Sequence, residues 1–243
     1  HRGGIQHYTD GVRNPTPRTV DVNDPMVNTG MEWAIANFVH NPLVAPPGSV
    51  YNYSSFGYNL AGVVLEKALN MPYEMIVIDQ VARPIGASTL VADRFWENIP
   101  NRSVGYRFAS STASEPVRDG NTDVSWKLAG GGFISTIVDL ARYCGALQDE
   151  VLISSDQKSR EFWADIYDQN YGLGIGVSSS RGNVLISHTG AQQKAASSLR
   201  LYPERNECVV MMSNTRPQSS RTGFDSAGDI GRLVDFAWQA LGN

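Results

Sequence analysis

The sequence predicts an α/β (α+β) fold in which helices flank an antiparallel sheet. Three observations carry that expectation. Four strand-like segments, at 171–177, 184–188, 197–202 and 208–213, follow one another closely. Arg181-Gly182-Asn183 and Pro203-Glu204-Arg205-Asn206 have the composition of hairpin turns between them. Helical periodicity dominates the chain before this run and again after it.

Residues 1–30 are punctuated by Gly3, Gly4, Gly11, Pro15, Pro17, Pro25 and Gly30, which break any regular pattern. Residues 31–40, with apolar Trp33, Ile35, Phe38 and Val39, predict a short helix. Asn41-Pro42 stops it, and Ala45-Pro46-Pro47-Gly48 forms a rigid turn. In YNYSSFGYNLAGVVLEKALN, Phe56, Leu60, Val63 and Val64 recur at helical spacing, with Ser54 and Ser55 as caps. Another helix is expected over 73–82, ending at Arg83-Pro84-Ile85-Gly86. Periodicity is weak over 95–125, and 110–114 has the composition of an exposed loop. Beyond Gly130-Gly131-Gly132, Thr136-x-x-Asp139 has the form of a capping box with Asp in place of Glu. Ile137, Leu140, Ala141, Cys144 and Leu147 then define an apolar face. Ile230, Leu233, Val234, Ala237, Trp238 and Leu241 make the clearest stripe of all. No repeat or linker interrupts the pattern, so 1–243 is expected to form a single domain.

Composition excludes several functions. The chain carries 24 acidic and 20 basic residues, a net charge of −4, without the basic stripe of a nucleic-acid binder. No apolar run approaches the ~20 residues that span a bilayer, so no transmembrane segment is expected. His1, His7, His40 and His188 lack metal-ligand spacing, and no metal or other cofactor is expected. Gly172-x-Gly174-x-Gly176 lies in a predicted strand with no helix behind it, so it suits close packing rather than phosphate binding. Cys144 and Cys208 both fall on apolar faces and are expected to be buried free thiols.

One set of motifs carries chemistry. Tyr53-Ser54-Ser55 opens a helix, Gly130-Gly131-Gly132 precedes another, and His188-Thr189-Gly190 ends a strand. In that order they resemble the motifs of the serine β-lactamase and penicillin-binding-protein superfamily, whose second motif is Ser-x-Asn or Tyr-x-Asn and third Lys-Thr-Gly. Wider windows are similar too. PGSVYNYSSFGYNLAGVVLEKA resembles the segment around the catalytic tyrosine of class C-type members. SWKLAGGGFISTIVDLARY is similar to the mitochondrial serine β-lactamase-like (LACTB) proteins and their bacterial relatives. HRGGIQHY, ISHTG, SSLRLYP and CVVMMSN extend the resemblance over almost the whole chain.

The resemblance implies a β-lactamase/transpeptidase-like fold and a serine hydrolase acting by an acyl-enzyme on a peptide, amide or ester. It makes Tyr53 the proton relay and places His188 at the lysine of Lys-Thr-Gly. Thr189 would bond a substrate carboxylate or acyl group, Gly190 would let the substrate backbone approach, and the Ala191 N–H would be an oxyanion donor. Two residues depart from the pattern. Ser55 stands where the family often has Asn, and His188 replaces Lys, so recognition of an anionic β-lactam is weakened.

The family's nucleophile belongs to a Ser-x-x-Lys helix that should precede HRGGIQHY. The match at Ser155-Asp156-Gln157-Lys158 falls after Tyr53 and begins a helix whose Phe162, Trp163 and Ile166 suit ordinary packing. The domain is therefore expected to be N-terminally incomplete, with the nucleophile upstream of His1, and the chain alone to be inactive. The expected partners are a small-molecule or peptide substrate and the N-terminal segment of the same precursor as a second chain. Any targeting signal would also lie upstream. The alternative is a non-catalytic scaffold of the same fold that binds peptides or partner proteins.

Overall fold

A computed structural model describes residues 1–8, 30–110, 113–120, 122–164, 169–192 and 194–216, together with 233, 236, 237, 239 and 240. Two compact units emerge. The first comprises His1–Arg83, Ser88–Asn98 and Thr122–Ser135; the second comprises Pro84–Ala87, Ile99–Asn121 and Thr136–Asn243.

In the first unit, helix α1 (Met31–Ala36) is shorter than the periodicity predicts, because the Asn37 N–H turns to the Ala34 carbonyl and the Phe38 N–H to the Ile35 carbonyl. Helix α2 (Ser55–Leu69) starts where Ser54 accepts from the Gly57 N–H, and ends at Asn70 in the left-handed region. Helix α3 (Tyr73–Val77) runs into a π-type turn (Ile78–Ala82), together matching the predicted helix over 73–82. The buried Glu66 carboxylate of α2 accepts from the Tyr73 N–H, satisfying one orphan donor at the start of α3. Strands β1 (Val91–Ala92) and, later in the chain, β4 (Phe133–Ile134) pair antiparallel. The core joins α1, α2 and the 3₁₀ turn Ser125–Lys127 through Ala34, Phe38, Phe56 and Trp126. Phe38 and Phe56 stack with ring centroids 4.6 Å apart.

In the second unit, β2 (Tyr106–Phe108) pairs antiparallel with β3 (Pro116–Arg118), which places a small hairpin where the sequence shows only weak periodicity. Helix α4 (Ile137–Gln148) is capped by Thr136, which accepts from the Asp139 N–H as its motif predicts. Helix α5 (Ser155–Gln157) has a full capping box on Ser154 and continues as a π-type turn (Lys158–Phe162). The four-stranded meander β5 (Gly176–Ser180), β6 (Asn183–Ala191), β7 (Ala196–Tyr202) and β8 (Glu207–Ser213) is antiparallel throughout. Strand β9 (Thr215–Arg216) pairs parallel with β2.

Turn chemistry sets the hairpin register. Arg181 and Gly182 both have positive φ, 53° and 80°, the two-residue loop whose twist suits adjoining strands. Leu147 and Cys144 of α4 pack on Ile175, Ile186, Leu199 and Leu201 as this unit's main core.

Two expectations are corrected. The strand expected over 171–177 begins only at Gly176; Tyr171 makes an isolated bridge to Gly176, and the intervening residues form a turn with Gly174 at φ 81°. Cys144 and Cys208 are not free thiols but a disulfide joining α4 to β8. Cys208 is moreover exposed, because it lies on the outer strand of the meander. The predicted C-terminal stripe falls mostly outside the described residues; of its members Leu233 and Ala237 are described, and both are helical.

Candidate active site

Tyr53 precedes the N-cap of α2 and is 42% exposed. Residues 1–8 run alongside it and are pinned by backbone bonds. Asn52 N–H donates to the His1 carbonyl, Val44 N–H to Gly4 and Gly48 N–H to Arg2. Ring nitrogens of this strap reach the helix start: His1 Nδ1 accepts from the Ser54 N–H at 3.0 Å, and His7 Nδ1 from the Ser55 N–H at 3.2 Å. The His1 ring lies 4.1 Å from the Tyr53 ring, centroid to centroid. Burial pushes the Tyr53 phenol above its usual 10, and Tyr8 and Tyr51 add to the rise. The phenol is therefore protonated at neutral pH, and its hydroxyl makes no hydrogen bond among the described residues.

Ser55 is buried, with Gly130 packed beside it. A side chain at Gly130 would stand 3.1 Å from the Ser55 and Asn59 side chains, and one at Gly132 would strike the Val124 carbonyl. Gly130 thus fits closely against the first turn of α2, and Gly132 against the Val124–Leu128 backbone. The same unit thus holds Gly130 beside Ser55, two residues after Tyr53.

In the second unit, pairing of β5 with β6 stops at Gly176↔Ser187, whereas β6–β7 pairing continues to Ala191↔Ala196. His188, Thr189, Gly190 and Ala191 therefore extend past the end of β5, and the last three are exposed. Ile186, His188 and Gly190 share the core face of β6 by strand alternation. A Cβ on Gly190 would sit 2.5 Å from the Ser197 Oγ, so a larger residue there would turn that cross-strand hydroxyl aside. A cavity of about 430 Å³ opens beside this stretch. Leu140, Tyr143, Phe162, Leu173, Ile175 and Leu199 supply its apolar walls.

His188 Nε2 lies 3.0 Å from the Tyr171 hydroxyl. Burial holds its imidazole below the usual 6.5, partly opposed by a hydrogen bond to the Thr189 backbone. The native state thus binds this proton less readily than the unfolded chain, so His188 contributes stability above about pH 6.5 that is lost as pH falls below it. We expect the melting temperature to drop more between pH 7.5 and 5.5 in the native sequence than in His188→Gln. Parallel thermal melts decide it, and equal drops would contradict the placement.

The Ser-x-x-Lys match at 155–158 is structural. The Ser155 hydroxyl donates to Glu150, and Lys158 Nζ is buried, donating to the Leu147 and Gln148 carbonyls at 2.9 Å each. The lysine thereby closes the C-terminus of α4. Lys158→Met should cost about 1–3 kcal/mol in urea unfolding. Ser155→Ala should leave any hydrolytic activity untouched, and a lost activity would reinstate Ser155 as a nucleophile.

The beta-lactamase family model matches residues 5–231. The chain belongs to the beta-lactamase family. It is 25% identical over 211 residues to the mouse serine beta-lactamase-like protein LACTB, mitochondrial, covering 74% of this chain and 38% of that protein. Penicillin-binding protein 4* of Bacillus subtilis (strain 168) is 22% identical over 230 residues, covering 88% of this chain and 49% of that one. The chain thus spans less than half the length of either relative. The fold is the family's α/β arrangement of antiparallel sheets and helices. D-amino acid amidase from Ochrobactrum anthropi SV3 superposes with a TM-score of 0.73 at 19% identity, over 100% of this chain and 69% of the amidase.

Within this family fold, the sequence motifs located Tyr53 and the 188–191 strand end, but not the groups around them. The Tyr171 partner of His188 lies in a glycine-rich turn with no periodicity to mark it. Leu140 was legible as part of a helix face, not as the wall of a cavity, and Tyr143 was not part of that face. No group of three or more His, Cys, Asp or Glu residues that could hold a metal occurs among the described residues.

Proposed function

We propose that this beta-lactamase family chain is part of a serine hydrolase that works through an acyl-enzyme on a peptide, amide or ester. The observation that carries the reading is the end of β6. Residues 188–191 run free of β5 beside a cavity, in the place of the family's third motif. An extended acyl substrate can lie along that edge, with the Thr189 hydroxyl bonding the acyl group and the Ala191 N–H facing the developing oxyanion. Losing one such donor typically costs ~10²–10³ in rate.

Tyr53 acts as the proton relay, first for the serine and then for the leaving group. Its raised phenol pKa means that a cation must come from elsewhere. We assign it, with the nucleophile, to a Ser-x-x-Lys helix encoded upstream, because the one match inside the chain is structural. That helix can belong to the same polypeptide or to a second chain cut from the same precursor. The amidase among the structural neighbours, by its name, acts on amides, which agrees with this substrate range.

The second reading is a non-catalytic scaffold that binds peptides or partner proteins. It is favoured by the buried Ser55 and by an imidazole in place of the third-motif lysine. A fluorophosphonate or penicillin probe applied to the product carrying the Ser-x-x-Lys segment separates the two. Covalent labelling supports the hydrolase; a folded protein that takes no label is the scaffold.

A further inference from the structure

We propose that Tyr171 is a positioning residue for His188, and that the cavity lined by His188 takes an uncharged, apolar group of the substrate. The proposal rests on the reading of β6 as a substrate-binding strand.

The backbone holds the two side chains in a fixed relation. Tyr171 bridges to Gly176, the Gly172 N–H donates to the Ile175 carbonyl, and the Val177 N–H donates to Asn170, each at 2.9 Å. Gly176 in turn pairs with Ser187, the neighbour of His188. The turn that carries the tyrosine is thus locked into the register of the strand that carries the histidine. The Tyr171 hydroxyl lies 3.0 Å from Nε2, with the two rings 73° apart.

The chemistry of the ring follows from its two neighbours. His188 has a hydrogen bond to the Thr189 backbone that favours ring protonation, so the partner there is the carbonyl. Nε2 faces Tyr171, which leaves Nδ1–H to donate to that carbonyl and Nε2 to accept the tyrosine proton. Both nitrogens are then satisfied in the neutral tautomer. A lysine at this position offers three donors and a charge; His188 held this way offers neither a charge nor a spare donor.

The cavity is built to match. At about 430 Å³ it falls in the ~300–1,000 Å³ range of small-molecule sites. Its described lining is apolar apart from His188, Tyr143, Thr189 and the Ser197 and Ser198 positions, with no Lys, Arg, Asp or Glu among the described residues. Among the described residues, Tyr171 is the titratable group against the imidazole, and Tyr143 is a second on the cavity wall. A carboxylate entering here would give up its hydration without meeting a cation among the described residues, whereas a phenyl or alkyl group meets apolar walls.

Nitrogen-15 imidazole NMR on the chain, alone and as Tyr171→Phe, tests the positioning role. The native chain should show His188 in the Nδ1–H tautomer at pH 7.5. Tyr171→Phe keeps the ring but removes the donor, so the His188 titration midpoint should rise by about half a unit or more. An Nε2–H tautomer in the native chain overturns the proposal, even if the variant fails to fold, and so does an unchanged midpoint in a folded variant. Hydrocinnamamide and hydrocinnamate, titrated into the same sample, test the cavity. The amide should perturb His188 with at least tenfold lower Kd; equal affinity, preference for the carboxylate, or no binding of either overturns it. These readouts need no acyl transfer. A hydrolase reading that fails by absent probe labelling thus fails separately from this one.

Discussion

Tyr53→Phe is expected to slow acylation of the Ser-x-x-Lys-bearing product by about 10²–10⁴-fold, the usual range for removal of a general acid–base group. The measurement is the second-order rate of fluorophosphonate labelling, with thermal unfolding as the control. The substitution is clean because the Tyr53 hydroxyl has no hydrogen bond to lose among the described residues, and the aromatic ring that lies 4.1 Å from His1 is retained. Melting temperature should therefore stay put while the labelling rate falls. The raised phenol pKa sharpens the expectation, because a tyrosine left in this environment alone cannot act as a base near neutrality. The same variant should also flatten the neutral-to-alkaline rise in labelling rate, since that rise reports deprotonation of the relay. Undiminished labelling in a folded Tyr53→Phe protein would remove Tyr53 from the mechanism and leave the serine's activation to the lysine alone.

Local chemistry made much of the fold legible. Ser54 and Thr136 cap their helices as their side chains dictate, and Arg181-Gly182 makes the two-residue loop that its composition announces. The motif residues were legible for the same reason: a strand end and a helix start are local events. What stayed hidden depends on contacts distant in sequence. The 171–177 segment has strand-like composition. Yet Gly172 packs so tightly on the Phe162 carbonyl that no side chain would fit, and Gly174 turns the chain before β5 begins. Ser155-x-x-Lys158 has the letters of a catalytic pair, and only the three-dimensional path of α4 shows its lysine closing a helix terminus. Ser55 looks like a substrate-facing hydroxyl in sequence, but in the structure it is buried, with Gly130 beside it. The pairing of two cysteines on separate apolar faces is the clearest case, because nothing in the spacing of Cys144 and Cys208 distinguishes a bond from two packed thiols.

That bond carries the second large expectation. Cys144 and Cys208 are 64 residues apart, and closing a loop of that length removes unfolded-chain entropy equivalent to about 4 kcal/mol. Their Cα atoms are 6.2 Å apart, inside the usual range for a disulfide. The Cys144→Ala/Cys208→Ala double variant should consequently unfold at lower urea. With an m-value of about 2–3 kcal/mol/M, the midpoint should fall by about 1.5–2 M. Cys144 sits in the core against Leu147, Ile186 and Leu201, whereas Cys208 is exposed on the outer strand. Dithiothreitol can therefore reach the bond in the folded protein, and reduction should lower the midpoint of the native sequence while leaving the double variant unchanged. Reduction frees two thiols without removing sulfur from the core, so it should cost somewhat less than the double substitution. The difference between the two isolates the packing of Cys144 from the tether. If neither treatment moves the midpoint, α4 and β8 are held together by the core alone, and the bond contributes nothing to the stability of this unit.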